Sequence, residues 1–178
     1  MTQQVYNEPS DKLLVEAIIN NDHDAFKNLY YKYFEMLIRF AWYRLHSTET
    51  ARDLVQEVFC RVWIKRKNLD PDKSIKAYLY TSLNNSIINY SKLKSSKASS
   101  INDLKSEKNL DNKNYQDFNI DMQTVLQKLP EKLKAVFILS RIEGYKYSEI
   151  ADICGISVKA VEKRITKTFN ILRKIFSE

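Results

Sequence analysis

Glycine is scarce in this sequence of 178 residues: there are two, Gly144 and Gly155, and none before position 144. Loops that cradle phosphates need two or three closely spaced glycines, because the backbone must approach the phosphate without a Cβ. The sequence therefore excludes P-loop enzymes and enzymes with a dinucleotide-binding fingerprint.

Cysteine and histidine are equally scarce. Cys60 and Cys154 lie 94 positions apart, and His23 and His46 are isolated, so we expect no metal site, no cofactor and no catalytic triad. Two isolated cysteines are typical of a reduced, cytoplasmic protein. No run of 18 apolar residues occurs and the first ten residues are polar, so we predict neither a membrane span nor a signal peptide.

Basic residues exceed acidic ones, 29 against 22, giving a net charge of +7. This excess favours a polyanionic partner. Residues 1–94 carry +3, residues 95–120 are neutral and residues 121–178 carry +4. Six basic side chains fall between Lys159 and Lys174, so the charge is densest near the C-terminus.

A polar segment divides the chain. Ser, Asn, Lys, Asp and Glu make up 21 of the 30 residues from Ser91 to Ile120, which predicts a solvated, flexible linker. The expected fold is all-α, with one domain over 10–94, a linker over 95–120 and a second domain over 121–178. Periodic apolar residues predict helices near 10–20, 22–46, 48–67, 74–93, 121–128, 130–143, 147–154 and 157–176; Ser74, Ser148 and Ser157 are the predicted N-caps.

The end of the chain predicts a helix-turn-helix. A short helix ending near Cys154 is followed by Gly155 and a longer helix, which is the layout of that motif. The longer helix has an apolar stripe of Val158, Val161, Ile165, Phe169, Leu172 and Phe176, and it places Lys159, Lys163 and Lys167 on the opposite face. Such a face suits phosphate contacts in a major groove; an ordinary solvated basic face is the alternative.

The helix predicted over 48–67 has an unusual polar side. Asp53, Gln56, Glu57 and Cys60 share it, flanked by Trp63 and Ile64. Polar groups bordered by exposed apolar ones favour a protein-docking surface. The alternative is a solvated face with Trp63 folded into the core.

The next helix is expected to bury Ile75, Leu79, Leu83 and Tyr90. It would turn Thr81, Asn84, Asn85 and Ile88 outward, with Tyr78 and Tyr80 beside them. Asn can bond to base edges, Tyr can stack on unpaired bases and nearby Lys can neutralise phosphates. The pattern is compatible with single-strand binding, although tyrosines on helices are more often core residues.

These segments together resemble a small, two-domain bacterial sigma factor of the extracytoplasmic-function group. The resemblance rests on Asp53-Leu54-Val55-Gln56-Glu57-Val58-Phe59 followed by Trp63. Gly144-Tyr145-Lys146-Tyr147-Ser148-Glu149-Ile150-Ala151 and Gly155-Ile156-Ser157 add to it. A helix-turn-helix alone is shared by many regulators, whereas its pairing with the first run is specific.

The resemblance implies a non-enzymatic factor that binds RNA polymerase core, selects promoters and helps to melt them. The clamp of the largest polymerase subunit would bind Asp53, Gln56, Glu57, Cys60 and Trp63. The −10 element would be held by Asn68, Asp70, Lys73, Tyr78, Thr81, Asn84, Asn85, Ile88 and Lys92. The −35 element would be read by Ser157, Lys159, Glu162, Lys163, Thr166 and Lys167. An anti-sigma protein is a further implied partner.

Several positions depart from the family pattern. Asn89 stands where Asp is common, Lys92 where Arg is common, Tyr78 where Trp is frequent and Glu162 where a basic residue is frequent. The promoter sequence does not follow from them. The second interpretation of the whole chain is a stand-alone helix-turn-helix regulator that binds duplex DNA without polymerase.

Overall fold

The computed structural model describes residues 9–98 and 120–176, and within them the chain forms eight α-helices and no strand. The helices are α1 (Asp11–Ile19), α2 (His23–Leu45), α3 (Thr48–Ile64), α4 (Ile75–Ala98), α5 (Ile120–Gln127), α6 (Glu131–Phe137), α7 (Tyr147–Cys154) and α8 (Val158–Phe176). A 3₁₀ turn at Arg66–Asn68 follows α3 and a π turn at Ile138–Ile142 follows α6. The predicted all-α fold is confirmed.

The predicted linker falls mostly outside the described residues, which omit 99–119 as well as the tail before residue 9. At its edges, α4 continues to Ala98, past the predicted end at residue 93, and α5 begins at Ile120.

Hydroxyl and carboxylate caps set the helix starts. The predicted caps Ser74 and Ser157 are confirmed, because each hydroxyl accepts a hydrogen bond from the amide three residues later, at 3.1 and 3.2 Å. The prediction for Ser148 is wrong, since α7 has already begun at the residue before it. There the Glu149 carboxylate instead accepts from the Lys146 amide at 2.9 Å.

Helices α1 to α4 form an N-terminal unit around α2. The long helix α2 packs against α1, α3 and α4, and its buried residues are spread from Ala25 to Arg44. The C-terminal unit consists of α5 to α8, in which α8 packs on α6 and α7.

The two units pack directly on each other. Helix α7 lies against α4, while α5 and α6 contact α2. One buried apolar cluster runs through both units, from Leu14 in α1 to Leu172 in α8. The C-terminal unit therefore covers part of the α2 and α4 surfaces.

The buried stripes differ from two predicted ones. In α4, Tyr90 is predicted to be buried but is only half-buried. Ile87, about one helical turn before it, is buried instead. In α8, the buried residues are Val161, Ile165, Thr168 and Leu172. Val158, Phe169 and Phe176, predicted to be buried, are exposed. Val158 and Phe176 are the end residues of α8, outside the buried span from Val161 to Leu172. Phe169 lies within that span and meets Phe137 of α6 edge-on, with ring centroids 6.2 Å apart.

Candidate nucleic-acid and protein interfaces

The outer face of α3 is polar and accessible. Asp53, Gln56, Glu57 and Cys60 are all exposed, at a spacing that puts them on one side of the helix. The opposite side buries Val55, Val58, Phe59 and Val62. The predicted division of this helix into two faces is confirmed.

Trp63 is neither fully exposed nor folded entirely into the core. Its half-buried ring packs against the core, with the ring centroids of His23 and Phe26 at 4.5 and 5.1 Å. The Arg66 guanidinium lies 4.4 Å over the same ring and donates to the Trp63 carbonyl at 2.6 Å. The strongly exposed apolar group here is Ile64, 74% exposed, which follows Cys60 by one helical turn and flanks the polar face, as the sequence predicts.

The loop before α4 presents its polar side chains to solvent. Asn68, Asp70 and Lys73 are exposed. The Asp70 carboxylate accepts from the Asp72 amide at 3.0 Å and lies 3.4 Å from the Lys73 ammonium. The carboxylate thus shapes the loop, and the amide and ammonium groups remain accessible.

Along α4, part of the predicted outward face is exposed. Tyr78, Asn85, Ile88 and Lys92 are accessible and follow one another at helical spacing on one side. An amide, an aromatic ring and an ammonium therefore line a continuous face beside the loop.

Two further residues of the predicted outward face of α4 are covered. The outward orientation predicted for Asn84 is wrong: it is 8% exposed, and its side-chain oxygen accepts from Arg44 Nη1 at 2.6 Å. Thr81 is half-buried and its hydroxyl donates to the Ile153 carbonyl of α7 at 3.1 Å. The cause is tertiary, because Arg44 of α2 binds Asn84 and α7 packs on α4 at Thr81.

Tyr80, predicted to lie beside the outward face, is wholly buried instead. Its ring makes edge contacts with Phe40 and Tyr145, with centroids 5.4 and 5.1 Å apart. Burial, together with the nearby Glu143 carboxylate, raises the pKa of its hydroxyl. Tyr80 is thus a core residue shared by both units.

The side chains predicted to read the −35 element lie on the outer face of α8, apart from Ser157, which comes just before its first residue. Ser157, Lys159, Glu162, Lys163, Thr166 and Lys167 are all exposed. The Thr166 hydroxyl donates to the Glu162 carbonyl at 3.0 Å, leaving the Glu162 carboxylate accessible. Ammonium groups can contact phosphates, and a carboxylate can accept from a cytosine amino group.

Gly155 turns the chain from α7 into α8. Its φ of 62° and ψ of 41° are left-handed, a conformation that glycine adopts without steric cost. The next amide, of Ile156, donates to the Ala151 carbonyl at 3.0 Å, which closes the end of α7. The left-handed backbone of Gly155 therefore sets the direction in which α8 leaves α7.

Comparison with known proteins decides the family. Residues 29–96 match the model of sigma-70 region 2, and residues 120–169 match that of sigma-70 region 4. The chain belongs to the extracytoplasmic-function group of the sigma-70 family. As a sigma factor it directs promoter-specific initiation by RNA polymerase, and the stand-alone regulator is not favoured.

Individual relatives of this sigma factor match over most of their length. RNA polymerase sigma factor YlaC of Bacillus subtilis (strain 168) is 26% identical over 85% of this chain and 91% of its own. The extracytoplasmic-function sigma factor SigW of the same strain is 23% identical over 92% and 95%. The solved sigma factor RpoE of Bartonella quintana, in complex with the anti-sigma factor NepR, has a TM-score of 0.73 at 22% identity, covering 85% and 96%.

The two matched regions of this sigma factor contain the surfaces described above. Region 2 includes the exposed face of α3 and all but the last two residues of α4, and region 4 includes α7, the turn and α8 as far as residue 169. Among residues 9–98 and 120–176, no helix is both long and apolar enough to cross a membrane. The same part of the chain contains no cluster of three or more potential metal ligands.

Proposed function

We propose that the sigma factor docks on the clamp of the largest polymerase subunit through the outer face of α3. Asp53, Gln56 and Glu57 would make the polar contacts, with Cys60 and Trp63 beside them. The exposed Ile64 supports this role, because an apolar group next to exposed polar ones is typical of a protein interface.

The −10 element would be held by the loop before α4 and the accessible face of that helix. Tyr78 can stack on an unpaired base, Asn85 can bond to a base edge, and Lys92 can neutralise a phosphate. The remaining proposed contacts are Asn68, Asp70, Lys73, Thr81 and Ile88. Asn84 is not among them, since its side chain is bound to Arg44.

The −35 element would be read by α8. Lys159, Lys163 and Lys167 would contact phosphates, while Ser157, Glu162 and Thr166, just before the helix or in its first half, would approach base edges. These assignments correspond to two DNA-reading domains, proposed over 10–94 and 121–178, and a linker over 95–120.

The polymerase would supply all the chemistry, and the sigma factor would need no cofactor. Transcription places its work in the cytoplasm. We infer an anti-sigma partner as well, since the similar RpoE of Bartonella quintana was solved with one.

The observation that carries the proposal is the presence, on one chain, of an exposed polar face on α3 and an exposed basic face on α8. Run-off transcription with purified core polymerase tests it: we expect promoter-specific transcripts only when the sigma factor is added. Tight duplex binding by the sigma factor alone, without any transcript from the mixture, would refute it.

The docking assignment is tested by Glu57→Lys, which reverses a charge in the centre of the exposed face. We expect weaker binding to core polymerase and unchanged duplex binding by α8, measured by fluorescence anisotropy. Glu35→Lys, an equal charge change at an exposed position of α2, is the control. Equal core affinity for the two variants would overturn the assignment.

A further inference from the structure

The loop before α4, residues 65–74, is attached to α1 at both ends of that helix. At the C-terminal end of α1, the Lys67 ammonium donates to the Ile19 carbonyl at 2.7 Å. At the N-terminal end, the Lys12 ammonium donates to the Asp72 carboxylate at 2.7 Å. Lys12 and Asp72 are mostly exposed, so their pair contributes little by itself. The stronger attachment is at the start of the loop.

Arg66 makes the most constrained of these contacts. Its guanidinium lies 4.4 Å from the centre of the Trp63 ring and donates through Nη1 to the Trp63 carbonyl at 2.6 Å. Its Nε donates to the side-chain oxygen of Asn21 at 2.7 Å. A guanidinium is rigid and planar, so the two contacts with Trp63 already orient the group. The bond to Asn21 therefore costs little additional conformational entropy.

Asn21 lies in the turn between α1 and α2, with a left-handed backbone of φ 69°. Asn is one of the few residues with a Cβ that adopt this conformation. Its amide donates to the Ile18 carbonyl at 3.0 Å, while its side chain accepts from the loop. The preceding residue, Asn20, differs, because its side chain donates to the Glu16 carbonyl of α1 at 3.0 Å. Of these two adjacent asparagines, Asn21 is the one that binds the loop.

The basic run Lys65-Arg66-Lys67 would suit phosphate contacts on charge alone. In the structure, two of its three cations instead bond to α1 or to the turn after it. Lys67 places its charge at the C-terminal end of α1, where the helix dipole is negative and the last carbonyls lack helical partners. Helix α1 has no basic residue in its own last turn, so Lys67 supplies the cation that this helix end favours.

The attachment orders the part of the loop that is proposed to hold the −10 element. Asn68, Asp70 and Lys73 are exposed, but Leu69 among them packs against the apolar core, and the contacts with α1 lie before and between them. A loop that is already ordered loses less conformational freedom when it binds. Attachment to α1 therefore favours capture of an unpaired base.

We propose that α1 and the turn after it position the −10 loop, with Arg66, Lys67 and Asn21 as positioning residues that do not contact DNA themselves. The inference rests on the proposed −10 role of this loop. Asn21 gives the sharpest test, because its side chain is uncharged and it belongs to none of the proposed DNA-binding sets.

The test uses the full chain bound to core polymerase and the variant Asn21→Gly. This change removes the acceptor for Arg66, and glycine retains the left-handed backbone. Arg66 keeps both contacts with Trp63, so the docking face is untouched. The matched control is Asn20→Gly, the same substitution one residue earlier, which removes a bond inside α1.

The probe is a labelled single-stranded DNA that the wild-type holoenzyme selects from a pool with random bases, with core polymerase alone as the blank. Fluorescence anisotropy gives the affinity of each variant for that probe. Circular dichroism checks that helix content is retained.

We expect Asn21→Gly to bind the probe about two- to tenfold more weakly than Asn20→Gly, which is the cost of immobilising about one more side chain on binding. The slope of log affinity against log salt should be equal in the two variants, because neither removes a charge. Asn21→Asp, which keeps an acceptor and tolerates left-handed backbone, should bind more tightly than Asn21→Gly. Affinity for core polymerase should be the same in all three.

Arg66→Gln is the second variant. It should weaken probe binding and leave the salt slope unchanged. A slope reduced by about 0.7, the value for one phosphate contact of a single strand, would make Arg66 a DNA contact and overturn its positioning role.

Equal probe affinity in folded Asn21→Gly and Asn20→Gly would overturn the inference while leaving the proposed function intact. A wild-type holoenzyme that selects no sequence from the pool would refute the proposed −10 role of the loop, and the positioning role with it. The two failures are therefore distinguished by the wild-type result.

Discussion

The turn at Gly155 offers a quantitative test of how the helix-turn-helix is built. Two terms decide the cost of Gly155→Ala. The left-handed backbone, φ 62°, costs a residue with a Cβ about 1–2 kcal/mol, while the smaller conformational freedom of unfolded Ala offsets about 0.4–1 kcal/mol. No atom lies within 4 Å of a Cβ added here, so no clash adds to the cost.

The expected net loss is therefore about 1 kcal/mol. For a chain of this size that lowers the melting temperature by about 2–4 °C, measurable by circular dichroism at 222 nm. Gly155→Asn should lose less than Gly155→Ala, because Asn tolerates left-handed backbone. Gly144→Ala, at φ 72° and with equally open space, should lose about as much as Gly155→Ala.

Measuring DNA binding distinguishes a local cost at the turn from a general loss of structure. Below the melting transition, duplex affinity of Gly155→Ala should match the wild type, because the exposed face of α8 is untouched. An unchanged melting temperature would show that residue 155 does not need left-handed backbone. A loss above about 4 kcal/mol would show that a Cβ meets a neighbour there.

Two other predictions concern charge. Lys163→Ala should weaken duplex binding and reduce the slope of log affinity against log salt by about one, whereas Lys132→Ala, an exposed lysine on α6, should leave the slope unchanged; equal slopes would take Lys163 off the phosphates. Burial, and then the nearby Lys134 charge, lowers the pKa of His46 below the usual 6.5. Stability present above pH 6.5 should therefore fall as pH drops below it, because the unfolded chain binds the proton more readily. His46→Asn, which also suits the left-handed φ of 55° at this position, should show a smaller drop in melting temperature between pH 7.5 and 5.5; an equal drop would refute this.

Local patterns predicted the helices and the exposed faces well. The polar side of α3 and the basic side of α8 each depend on a repeat within one helix, and that repeat is visible in the sequence. The caps at Ser74 and Ser157 depend on a single side chain and the amides just after it. Such features need no knowledge of what packs where.

Apart from the cap predicted at Ser148, the errors concern packing between distant segments. Tyr80 and Asn84 are polar enough to face solvent, yet Phe40 and Tyr145 pack on Tyr80, and Arg44 binds Asn84. In the same way Val158 and Phe169 fit an apolar stripe, yet both stay exposed, although the Phe169 ring meets Phe137 of α6 edge-on. Periodicity identifies a face of a helix and does not show which neighbour reaches it.

The sequence by itself therefore determined the helical class, the family and the two outward surfaces, because each is carried by short-range spacing or by motif. Only the tertiary structure decided that the C-terminal unit packs on α2 and α4. That contact joins Arg39 to Glu143 across 104 positions, and pairing over such a separation depends on how whole helices pack rather than on any local pattern.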